Sequence, residues 1–188
     1  MKRLIPLILI LALLAGCATA PAETTAPAET TLPPETTAPT ETTAPALPDA
    51  PDFTMYDAAG NPVKLSDFAG MPVVLNFWAS WCGPCKNEMP DFDETCKKLQ
   101  GKVQFLMVNL ADGTTETVEG AAAFIADAGY SFPVYYDTQL EGAALYGINS
   151  IPTTFFITPE GKVAAYYSGS MPQELLAQGI AMIYSVAE

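Results

Sequence analysis

Trp81-Cys82-Gly83-Pro84-Cys85 is the stretch of this chain with the clearest chemistry. It follows the apolar run Val73–Trp78 and precedes a segment that reads as a helix. Two cysteines with two residues between them, at a strand-to-helix junction, read as a redox dithiol. Half of a metal site and two unrelated core cysteines are the competing readings. Two absences narrow the field: the chain has no histidine, and its single arginine is Arg3. His-dependent nucleophilic catalysis, His-ligated zinc and His-ligated haem are thereby excluded. Neither a metal nor another cofactor is expected.

The elements that must position these sulfurs occupy only part of the 188 residues. Lys2 and Arg3 precede the apolar run Leu4–Ala15, which has the charge and length of an export signal. That run is well short of the ~20 residues a helix needs to span a bilayer. Residues 1–16 therefore read as a signal segment, and Leu14-Ala15-Gly16-Cys17 resembles the lipobox of bacterial lipoproteins. Lipidation of Cys17 would supply the two acyl chains that stable anchoring requires. Residues 17–50 carry the motif Glu-Thr-Thr-Ala/Leu-Pro every six residues, beginning at Glu23, Glu29, Glu35 and Glu41. Composition of this kind favours an extended, solvated stalk reaching at most about 100 Å.

Residues 51–188 suffice for one core. They hold 16 acids and six lysines, and the whole chain has 8 Lys plus Arg against 21 Asp plus Glu, a net charge of −13. A surface so acidic gives nucleic-acid binding no electrostatic footprint.

Within this domain, Phe53–Tyr56 and Pro62–Leu65 are predicted to form a hairpin, and Ser66-Asp67-Phe68 one helical turn. Val73–Trp78 is almost continuously apolar, as a strand covered on both faces should be. Asn76 interrupts it and needs hydrogen-bond partners if buried. From Gly83 to Leu99, apolar residues at Met89, Phe92, Cys96 and Leu99 make one helical stripe, with Pro90 expected to kink it. Cys96 reads as a small buried apolar residue, too far along the helix to pair with Cys82 or Cys85. Val103–Leu110 is a second strand, and Val118–Ala128 a helix stopped by Gly129. A strand at 133–136, a short helix at 140–146, strands at 153–157 and 163–167, and a last helix after Ser170-Met171-Pro172-Gln173 complete the order. Those four residues read as a capping box. The fold class is α/β, with a mixed central sheet: parallel units in the middle, an antiparallel hairpin at the end.

Phe77-Trp78-Ala79-Ser80-Trp81-Cys82-Gly83-Pro84-Cys85-Lys86, with Pro90 beyond it, resembles a thioredoxin active-site helix. Ile151-Pro152-Thr153, before a strand, matches the proline loop that thioredoxin-like folds set opposite the dithiol. The N-terminal hairpin, the strand–helix insertion around 112–136 and Glu88-Met89-Pro90 are similar to the TlpA/ResA branch of extracytoplasmic thiol–disulfide oxidoreductases. The resemblance covers roughly 51–188.

The resemblance implies a role for each residue. Cys82, at the helix N-terminus where the dipole favours a thiolate, would be the exposed nucleophile, and Cys85 would resolve the mixed disulfide. Gly83 and Pro84 would shape the turn. Trp81 would either flank the sulfur or serve as a packing aromatic. Pro152 would be cis, with the Ile151 backbone offered to an extended substrate. Glu88, one turn beyond Cys85, would act in acid–base chemistry and substrate choice; the alternative is a solvated helix carboxylate. Asn76 stands where thioredoxin has a buried Asp, and an amide cannot shuttle protons.

The function so implied is reduction of disulfides in protein substrates at the extracytoplasmic face of the bacterial cell membrane. It would serve cytochrome c maturation or surface redox repair. A membrane electron donor would re-reduce a monomeric, lipid-anchored enzyme. A peroxiredoxin-type peroxidase is the alternative, but that class needs Thr or Ser three residues before its cysteine and an arginine nearby. Here the position is Ala79 and the domain has no arginine. A binding module with a purely structural disulfide is the non-enzymatic reading.

Overall fold

The computed structural model describes residues 46–185. The signal segment, Cys17 and nearly all of the stalk lie outside the described residues. Seven strands form one sheet in the order β2-β1-β5-β4-β3-β6-β7. The antiparallel hairpin β1 (Thr54–Tyr56) and β2 (Pro62–Lys64) joins it through Tyr56 opposite Tyr136 of β5 (Val134–Tyr136). The centre is β3 (Val73–Trp78), parallel to β4 (Gln104–Asn109) and antiparallel to β6 (Thr153–Ile157). β7 (Val163–Ser168) closes the far edge against β6.

Every residue of β3 is buried, because both faces are covered. On one face Val74 and Trp78 pack with Phe105 and Met107 of β4. They meet Met89 and Phe92 of α1 (Gly83–Lys98), Ala121 of α2 (Val118–Ala128), and Leu176, Ile180 and Ile183 of α4 (Gln173–Ile183). On the other face Val73, Leu75 and Phe77 pack with Phe53, Met55, Leu65 and Phe155, with Tyr146 beside them just after α3 (Glu141–Leu145). Alternation along an extended chain sends neighbours to opposite faces, so a continuously apolar strand feeds two cores. α4 comes so close to β6 that a Cβ on Gly179 would overlap the Phe156 ring. Only glycine fits there. Gly129, in the left-handed conformation at φ 71°, ends α2 where the sequence places the stop.

Two local expectations are corrected. Ser170 does not cap α4: Pro172 is the N-cap, with no side-chain cap bond. Met171, inside the expected box, is instead committed to the core: its N–H is held by Glu88 and its side chain is buried. Cys96 is free, but it is half-buried and not enclosed. It packs against the edge of the core and lines an open groove of about 370 Å³ with Gln100, Val103, Ser131 and Pro133. Pro90 lies inside α1, which runs from Gly83 to Lys98.

Candidate active site

β3 ends at Trp78, and the chain turns through Ala79-Ser80-Trp81, with the Cys82 N–H donating to the Ala79 carbonyl at 3.2 Å. Cys82 is the N-cap of α1, in extended geometry at φ −77° and ψ 106°. Its Sγ accepts the Cys85 N–H at 3.1 Å, so the sulfur occupies the place of a capping oxygen. Gly83 and Pro84 form the first turn, where proline's missing N–H costs nothing. Cys82 and Cys85 are disulfide-bonded, with their Cα atoms 5.3 Å apart.

Cys82 is not exposed as expected. In this oxidised form the residue is only 4% accessible and Cys85 is fully buried. The cause is the loop opposite, whose Ile151 carbonyl oxygen lies 3.7 Å from Cys82 Sγ. The Ile151–Pro152 bond is cis. Trp81, by contrast, is 56% exposed, which removes the packing-aromatic alternative. The residues forecast from the CxxC and proline motifs are thus brought together at one end of the sheet.

Glu88 is the larger departure from a simple helix reading. It is 2% exposed, not a solvated carboxylate. Asn76 Nδ2 donates to Glu88 Oε1 at 2.9 Å and to Thr154 Oγ1 at 2.9 Å, and the Met171 N–H donates to Glu88 Oε2 at 2.7 Å. Burial pushes the Glu88 carboxyl up to about 7, against the lowering effect of the Met171 and Asn76 hydrogen bonds. Asn76 finds partners for its amide nitrogen but none among the described residues for Oδ1. Thr154 and Met171 belong to this cluster and were not foreseen, because each lies about 80 residues from the side chain it serves.

A second buried carboxylate was also missed. Glu116, 3% exposed, sits in the loop between β4 and α2. Its Oε1 accepts the Ser80 N–H at 2.8 Å and Asn109 Nδ2 at 2.6 Å, and its Oε2 pairs with Ser80 Oγ at 2.8 Å. Among the described residues, no group of three or more His, Cys, Asp or Glu side chains could hold a metal ion.

The arrangement is a reversible two-electron couple at a helix N-terminus, faced by a backbone carbonyl and backed by a carboxyl able to gain or lose a proton near neutrality. Known proteins agree. The AhpC/TSA family profile matches residues 48–166. The thiol-disulfide oxidoreductase ResA of Bacillus subtilis (strain 168) is 38% identical over 130 residues, 68% of this chain and 70% of that protein. A solved structure assigned as the thiol:disulfide interchange protein DsbE from Chlorobium tepidum superposes with a TM-score of 0.66 at 36% identity. It covers 73% of this chain and 97% of that one. The pneumococcal exposed lipoprotein thioredoxin Etrx1, from Streptococcus pneumoniae strain TIGR4, gives a TM-score of 0.58 at 33% identity, over 68% of this chain and 96% of its own. The fold is thioredoxin-like, and the chain belongs to the ResA-type thiol–disulfide oxidoreductases within the AhpC/TSA family.

Proposed function

We propose that this protein is a membrane-tethered, extracytoplasmic reductant of protein disulfides, with Cys82 as the attacking sulfur and Cys85 as the resolving one. The observation that carries the reading is the Cys82–Cys85 pair capping α1 beneath the Ile151 carbonyl. In the reduced enzyme the Cys82 thiolate attacks one sulfur of a substrate disulfide. A mixed disulfide forms and the other substrate sulfur leaves as a thiolate. Cys85, losing its proton, then attacks Cys82 Sγ and releases the second substrate thiolate. Two electrons pass to the substrate, and the enzyme ends with the Cys82–Cys85 bond. A dithiol donor in the membrane returns the two electrons. Glu88 is one turn along α1 from Cys85, and with its carboxyl near 7 it takes and returns the proton of the resolving step.

The tether rests on Cys17 in its lipobox-like context and on the stalk that follows. A relative whose name describes an exposed lipoprotein supports it. The substrates are oxidised cysteine pairs in cytochrome c maturation or in surface repair enzymes, and the enzyme acts as a monomer. The peroxidase alternative lacks its chemistry here, since Ala79 is fully buried where a hydroxyl is needed.

Reduction of insulin disulfides tests the catalytic assignment: Cys82→Ala brings the rate to background, and activity surviving in that variant overturns it. The reduction potential of the pair tests the direction. A value near the thioredoxin figure of about −270 mV fits a reductant, and one near about −120 mV rejects it. Cys17→Ala should move the protein out of the membrane fraction.

A further inference from the structure

We propose that Glu116 is a positioning residue for the dithiol, holding the turn that aims Cys82 from a loop more than thirty residues away in sequence. It takes up both polar groups that Ser80 offers it, the backbone N–H through Oε1 and the hydroxyl through Oε2, each at 2.8 Å. Ser80 is the middle of the turn whose Cys82 N–H to Ala79 carbonyl bond sets the cysteine at the head of α1. A two-point hold on one residue fixes orientation as well as distance.

The clamp is itself anchored from both sides. Asn109, at the end of β4 and directly opposite Trp78 of β3, donates to Glu116 Oε1 at 2.6 Å. The Leu110 N–H donates to the Trp78 carbonyl, tying the two strand ends together. Asp112 Oδ1 accepts the N–H groups of Thr114, Thr115 and Glu116, and the Gly113 N–H donates to the Glu116 carbonyl. The loop is therefore a closed knot with one carboxylate pointed inward. Nothing in CxxC reactivity as such calls for a buried carboxylate at the preceding serine. What the geometry provides is a rigid approach to the sulfur, and displacing a nucleophile by ~1 Å can cost up to about 100-fold in rate.

The inference rests on Cys82 being the attacking sulfur, and the experiment separates the two claims. Insulin reduction is measured with the full chain for wild type, Glu116→Ala, Glu116→Gln, Ser80→Ala and Cys82→Ala, with Tm recorded for each. Glu116→Gln keeps the hold, because its amide oxygen accepts from Ser80 and Asn109 while its NH₂ donates to Ser80 Oγ. The expected result is a kcat about 10- to 100-fold lower for Glu116→Ala with KM little changed, and Glu116→Gln within about threefold of wild type. The rate of Cys82 alkylation at high pH, where the thiol is ionised, should fall with kcat, a loss that reduced stability alone would not give. If Glu116→Ala does not fold, Ser80→Ala decides, with an expected drop of about three- to tenfold in kcat at a near-native Tm. Wild-type kcat in the folded Ala variants, or a Gln variant as impaired as the Ala one, overturns the positioning role. Full activity in Cys82→Ala would instead remove the reading on which it stands.

Discussion

Glu88 and Glu116 are both buried carboxylates near the same dithiol, one three residues past Cys85 and the other bonded to Ser80, and the protein solvates them unequally. Glu116 meets a backbone N–H, a hydroxyl and an amide, three partners for two oxygens. Glu88 meets one amide and one backbone N–H, two partners for two oxygens. Burial raises the Glu88 carboxyl to about 7. A well-supplied carboxylate can act as a fixed strut, whereas a starved one can trade a proton. The difference between the two lies in hydrogen-bond supply, since the residue type is the same and the burial nearly so.

The harshest way to break this contrast is to starve the Glu88 side further. Asn76→Asp replaces the amide donor with a second carboxylate directly against Glu88, so the two must share protons. Stability at pH 8 should fall by about 3–5 kcal/mol, the scale of an uncompensated buried charge, and far less at pH 5. Urea denaturation at the two pH values measures it, and equal losses would show that Glu88 is not the responding group.

Glu88→Gln tests the same point from the opposite direction. The Glu88 carboxyl is higher in the folded chain, at about 7, than its ordinary 4.5. Between those values the folded state holds a proton that the unfolded state has released. Stability from this group is therefore complete below about pH 4.5, declines as pH rises toward 7 and is flat beyond. The decline amounts to about 3 kcal/mol. An amide at this position cannot ionise, so the variant should lose this slope, and a slope that persists would assign it elsewhere. Glu116→Ala should cost about 2–3 kcal/mol by leaving Ser80 and Asn109 donors without acceptors, read as a lower midpoint in urea.

How far the sequence reveals this site follows from the range of each interaction. The CxxC pair, the apolar strand before it and the Gly129 stop are written in neighbouring residues, and each was legible. Cys82's burial was not, because it is imposed by Ile151, 69 residues away. Glu88 shares a helix with Met89 and Phe92, yet a charged residue reads as solvent-facing until Asn76 and Met171 are seen to enclose it. The Ser170–Gln173 cap pattern misled for the same reason, since Met171 inside it is held by Glu88, 83 residues away. Glu116 stands in Asp112-Gly113-Thr114-Thr115-Glu116, which reads as a polar surface loop. Its inward turn depends on Ser80, 36 residues earlier.

The smallest effect expected bears on how Asn76 is itself oriented. Its Nδ2 carries two hydrogens, one spent on Glu88 Oε1 and one on Thr154 Oγ1. Thr154→Val preserves shape and removes the second acceptor, stranding one buried N–H at a cost of about 1 kcal/mol. With that anchor gone the amide is freer to rotate, and its oxygen can then face a protonated Glu88 and accept from it. Rotation of this kind favours the neutral carboxyl, so the pH at which the stability loss levels off should move upward from about 7. A levelling-off point that stays in place while stability falls would mean that packing alone holds Asn76. The Glu88 environment would then owe its poor hydrogen-bond supply to the strand position of Asn76, and not to the Thr154 hydroxyl that competes for the same amide.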